Sequence, residues 1–119
     1  MAWKFTADRP VYIQIADKLR KLVLSGQYEA GGQIPTVRQL AVEAAVNPNT
    51  VQHAFTELEG EGLIISQGTL GRFVTEDQQI IDAVRKEMAL KIAKDFAMEM
   101  EQLSMKPEAA MELVREVLQ

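Results

Sequence analysis

Five hydrogen-bonding side chains fall within seven positions of VNPNTVQHAFTELEGEGLI, residues 46–64: Asn47, Asn49, Thr50, Gln52 and His53. A turn would employ two of them, and the others need a surface to meet. Carboxamides such as Asn and Gln can pair bidentately with adenine in the major groove of DNA, while Thr and His add hydrogen bonds and methyl or ring contacts. His53 is the sole histidine and there is no cysteine, so disulfides, thiolate chemistry, a metal site and a cofactor are not expected. No nucleophile stands beside a base and no loop cradles a phosphate, so the chain does not read as an enzyme.

Those polar groups can act together only if a helix aligns them. Asn47 followed by Pro48 is a start signal, a capping side chain ahead of a proline that loses nothing at the first helical position. Val51, Ala54, Phe55 and Leu58 then recur at i, i+3, i+4 and i+7, which buries one face and leaves the polar set on the other face or at the helix start. Gly60 and Gly62 end it. Upstream, Thr36-Val-Arg-Gln39 reads as a capping box opening a short helix through Leu40, Ala41 and Ala44. Two capped helices joined by a tight turn at Ala45-Val46 make a helix-turn-helix, whose second helix offers its N-terminal residues to base edges. Its free N–H groups and dipole also favour a phosphate.

A further helix precedes this pair, starting after Pro10 with Val11, Ile15, Leu19 and Leu22 on one face and stopping near Gly26, and a glycine-rich loop, GQYEAGGQIP, follows it. After the pair, LIIS (63–66) and RFVT (72–75) are β-prone runs separated by QGTLG, a hairpin. The expected class is mainly α with a small β wing, an α+β winged helix-turn-helix over residues 1–75 followed by a helical tail over 76–119.

Charge divides along the same boundary. Residues 1–75 carry seven Lys/Arg against seven Asp/Glu, whereas 76–119 carry six against ten and so supply the whole net charge of −4. Nucleic-acid binders usually show a basic balance, so a local patch has to do the work here. The alternative reading is a winged-helix adaptor for protein partners without specific DNA binding, which the acidic charge favours and the polar helix beside Arg38 opposes. A mobility-shift assay on the protein's own upstream DNA separates the two. No run has signal-peptide or membrane-span length, so a cytoplasmic protein without a membrane partner is expected.

From Pro10 to Val74 the chain resembles the GntR family of winged helix-turn-helix regulators. The family pattern runs P-x-Y-x-Q-I, a G-x-x-x-x-G loop, L-P-S-x-R-x-L-A, V-N-x-x-T-V, L-E-x-E-G and G-x-G-x-F-V. Here Pro35-Thr36 replaces Pro-Ser and keeps the hydroxyl, His53 stands where many members have a basic residue, and the wing carries one more residue between its glycines. The resemblance implies double-stranded operator DNA as partner. It implies phosphate contacts from Arg38 and Thr36, recognition-helix contacts from Asn47, Asn49, Thr50, Gln52 and His53, and a wing tip of Gln67 and Gly68 approaching the minor groove. It makes Arg72 a further phosphate contact.

The remaining 44 residues are too few for the effector-binding domains of larger members. They resemble the YtrA-type branch, whose short tail is a dimerisation device and whose members repress operons for ABC-type transporters. The residues themselves agree with dimerisation. Ile81, Val84, Met88, Ile92, Phe96, Met100 and Leu103 form a stripe on a helix about 40 Å long, and beyond Lys106-Pro107 a second helix carries Met111, Val114 and Val117/Leu118. One short helix cannot cover such a stripe, so a second copy is expected to. A small-molecule effector, the operator sequence and the regulated genes are not readable from the residues.

Overall fold

In the computed structural model, residues 3–119 are described. Three helices, α1 (Val11–Leu24), α2 (Val37–Ala44) and α3 (Pro48–Gly60), precede two strands, β1 (Ile64–Ser66) and β2 (Arg72–Val74), and two more helices, α4 (Gln78–Gln102) and α5 (Pro107–Leu118). The chain divides into two compact units, one running through Val84 and the other Arg85–Gln119.

The core of the first unit is built from the apolar faces that the spacing marks. Ile15, Ala16, Leu19 and Val23 of α1, Leu40, Ala41 and Ala44 of α2, and Val51, Ala54, Phe55 and Leu58 of α3 are buried together with Leu63, Ile64 and Val74. The capping box at α2 is closed on both sides: the Gln39 N–H donates to Thr36 Oγ1 at 3.1 Å and the Thr36 N–H to Gln39 Oε1 at 2.8 Å. Asn47 caps α3, its Oδ1 accepting from the Asn49 N–H at 2.8 Å, with Pro48 in the first turn. Between these helices Ala45 adopts φ 59°, a left-handed conformation that glycine usually supplies in such turns. Arg20 ties α1 to the end of α3, donating through Nε to Glu61 at 3.0 Å and through a terminal nitrogen to Asp17 at 2.7 Å. Hydrogen bonding to Glu61 holds that guanidinium's pKa above its usual value.

β1 and β2 are antiparallel, with Ile64 opposite Val74, Ile65 opposite Phe73 and Ser66 opposite Arg72. Each is shorter than the run expected, and a 3-10 turn, Gly68–Leu70, joins them. The glycine-rich segment before α2 is more than a connection. Gln33 bridges Phe73, the Ile34 N–H donates to the Arg72 carbonyl at 3.0 Å and the Val74 N–H to the Gly32 carbonyl at 2.9 Å, so this segment lies along the free edge of the wing. Gln33 also donates from its amide to the Leu70 carbonyl at 2.8 Å, holding the wing turn.

The first unit continues past the boundary expected at Thr75. Ile81 and Val84, in the first turns of α4, are 5% and 6% exposed. They were expected on a dimer interface, and the correction has a plain cause: their surface is already used inside one chain. In the second unit α4 ends in a turn at Ser104, whose φ is 59°, with the Met105 N–H bonded back to the Met100 carbonyl at 3.0 Å. Leu103 lies just beyond the helix. Lys106 precedes α5 and Pro107 begins it. Ala110 is buried, while Leu90, Ile92, Met98, Leu103, Met111, Val117 and Leu118 are exposed. Among the described residues, no helix is long and apolar enough to cross a membrane.

Candidate nucleic-acid interface

The residues expected to meet DNA come from three places in the first unit. Thr36 and Arg38 stand at the start of α2, Asn47 through His53 at the start of α3, and Gln67 and Gly68 at the wing turn. Thr36, Arg38, Asn47, Asn49, Gln52, His53, Gln67 and Gly68 are exposed and Thr50 is half-buried. Burial of Val51, Ala54, Phe55 and Leu58 fixes the rotation of α3, so its polar row faces solvent.

The free hydrogen-bonding capacity on this row is uneven. Asn47 spends its oxygen on the cap and keeps its amide donors. The Asn49 carboxamide and the Arg38 guanidinium have no partner among the described residues. Gly68 has φ 57° and open space around it, so the wing tip can bring backbone close to another molecule.

Four contacts at this face were not anticipated. His53 stacks on Tyr12 of α1 with ring centroids 3.5 Å apart and planes 8° from parallel. The stack sets the imidazole plane and leaves the ring edges, where both nitrogens lie, outside it. Arg72, expected beside phosphates, lies over the Phe55 ring with Cζ 4.9 Å from the centroid. Its Nε is 3.4 Å from Glu59 Oε1, and a terminal nitrogen donates to Gln52 Oε1 at 3.4 Å. Tyr12 belongs to the P-x-Y element, yet nothing in a linear sequence says that it faces His53. Phe55 and Glu59 read only as core and surface of a helix. The expected interface residues of the tail do not act alike either: Met88, Phe96, Met100 and Val114 are half-buried, Ile92, Leu103 and Met111 exposed.

Capped short helix, αL turn, polar second helix and glycine-tipped wing together make a reading head for duplex DNA. Residues 11–74 match the bacterial regulatory proteins of the gntR family. The chain belongs to the GntR family. A GntR family transcriptional regulator from Listeria monocytogenes has the same fold with a TM-score of 0.88 and 32% sequence identity, over 94% of this chain and 98% of that one. The HTH-type transcriptional repressor YtrA of Bacillus subtilis is 38% identical over 71 residues, 60% of this chain and 55% of that protein. AraR(DBD), solved in complex with an operator, matches 60% of this chain and 93% of its own with a TM-score of 0.57 and 25% identity. This GntR protein is therefore a transcriptional regulator with a DNA-binding winged helix, and its relatives are regulators rather than enzymes.

Proposed function

We propose that this GntR regulator is a repressor that binds a pseudo-palindromic operator as a homodimer and acts in the cytoplasm, where the chromosome is. The observation that carries the reading is the solvent-facing row of Asn47, Asn49 and Gln52 on a helix whose other face is locked into the core. Base-edge contacts come from that row and from Thr50 and His53. Arg38 and the Thr36 hydroxyl meet phosphates, which positions the helix without reading sequence. Gln67 and Gly68 approach the minor groove. The repressor assignment draws on the similarity to YtrA, and the operator on the AraR complex. Dimerisation draws on the exposed apolar side chains of α4 and α5, now reckoned without Ile81 and Val84. Repression then follows from occupancy of the operator.

The test is a mobility-shift assay on the protein's own upstream DNA across a salt series. Each Arg38 that neutralises a phosphate releases counterions, so with two neutralised phosphates per dimer affinity should fall about tenfold between roughly 50 and 200 mM salt. The net charge of −4 does not prevent this, because it originates in residues 76–119 and charge is screened beyond about 8–10 Å. Affinity that stays flat across the series contradicts phosphate contact, and no shift at any salt favours the protein-adaptor reading.

A further inference from the structure

We propose that Arg72 is a positioning residue for Gln52, and that this pair sets the base preference where Gln52 reads the groove. The inference rests on the reading of α3 as the recognition helix. Its basis is one guanidinium held by three side chains of α3. Gln52, Phe55 and Glu59 succeed one another along one side of that helix, and Arg72 reaches across from β2 to all three. The Arg72 side chain is 25% exposed, and its Nε is shielded from water with no hydrogen bond, only the Glu59 carboxylate at 3.4 Å.

A charge withdrawn from water this far needs its counter-charge. To reach a DNA phosphate, the guanidinium would have to leave both Phe55 and Glu59. Its planar fork suits the place it already occupies, since it can face a carboxylate with one N–H and a carboxamide with another. Lysine, a point charge on a flexible stem, cannot hold both directions at once.

The consequence falls on Gln52. A free carboxamide can turn its oxygen to the adenine N6 amino group and its nitrogen to N7, the bidentate pairing expected from sequence. Here Oε1 accepts from Arg72 and is drawn toward the wing, which leaves the two Nε2 donors for the groove. Guanine presents two acceptors there, N7 and O6, whereas adenine presents one acceptor and one donor. Gln52 held in this way therefore prefers guanine to adenine.

Selection of binding sites from randomised duplexes, using the full chain and its Gln52→Ala, Arg72→Lys and Arg72→Ala variants, tests the proposal. Thermal melts of each variant confirm folding, and Arg72→Lys serves if Arg72→Ala does not fold. The wild type should select guanine at one or two base pairs whose preference Gln52→Ala abolishes. The Arg72 variants should shift those same base pairs toward adenine, changing the guanine-to-adenine ratio on the order of tenfold, with the salt slope unchanged. If Gln52→Ala relaxes the motif but the Arg72 variants leave it intact, the positioning role is wrong while base reading stands. A uniform loss across all sequences with a shallower salt slope makes Arg72 a phosphate contact and overturns the proposal. If Gln52→Ala leaves the motif unchanged, the base-reading premise itself falls.

Discussion

Ile92→Asp should leave the winged unit folded, convert the protein from dimer to monomer and lower operator affinity by about 10²–10⁴-fold. Ile92 is 63% exposed, so within one chain the change removes little packing and introduces an ordinary surface charge. Between two chains the same carboxylate would be taken out of water without a partner, which costs far more than an interface of this kind can absorb. Leu103, at 69% exposure, is a further exposed apolar side chain of the same stripe. The affinity loss follows from geometry. A dimer that docks one recognition helix holds the second at high effective concentration over the other half-site, and a monomer forfeits this. Light scattering at micromolar concentration and a mobility shift on the same sample read both effects. A variant that stays dimeric, or a monomer that binds the operator as well as the parent, refutes the interface proposed here.

Arg38→Ala should weaken binding to every duplex, specific or not, while Gln52→Ala should change which duplexes are preferred. Arg38 is exposed at the start of α2 without an ion-pair partner among the described residues, so its guanidinium is free for an external anion. A hydrogen bond to a charged group contributes about 1.5–3 kcal/mol, and two copies per dimer give about 3–6 kcal/mol, or roughly 10²–10⁴-fold. Gln52→Ala removes about 1–3 kcal/mol of discrimination at each base pair it reads. Binding-site selection and affinity on unrelated DNA distinguish the two behaviours. An altered motif from Arg38→Ala with an unaltered one from Gln52→Ala would reverse the roles.

Local chemistry was legible in the sequence and tertiary contact was not. The capping box of Thr36 and Gln39, the Asn47 cap with Pro48 behind it, and the apolar face Val51, Ala54, Phe55, Leu58 each depend on residues within one or two helical turns. Such features appear in the structure where their spacing puts them. The turn at Ala45 was placed correctly by the caps on either side, but its left-handed backbone has no marker in an alanine side chain. The stripe in α4 shows the limit most clearly. Its periodicity continues unbroken from Ile81 to Met100, yet Ile81 and Val84 belong to the core of the first unit and Ile92 faces solvent. Periodicity says that a face is apolar and is silent about what covers it. The stack of His53 on Tyr12 and the grip of Arg72 on α3 join residues 41 and 13 to 20 positions apart in the chain (53 − 12, and 72 − 59 to 72 − 52). Only the folded backbone brings them together. The same is true of Gln33, which reads as loop and is an edge of the wing.

The composition of the protein–DNA complex tests the central claim most directly. Sedimentation or light scattering of the full chain saturating a duplex from its own upstream region gives the number of chains per duplex. Two chains are expected on one pseudo-palindromic site, with half-sites separated by about one DNA turn of 10–10.5 base pairs or a multiple of it. One chain per duplex at saturation, or equal affinity for an unrelated duplex at physiological salt, would contradict that claim.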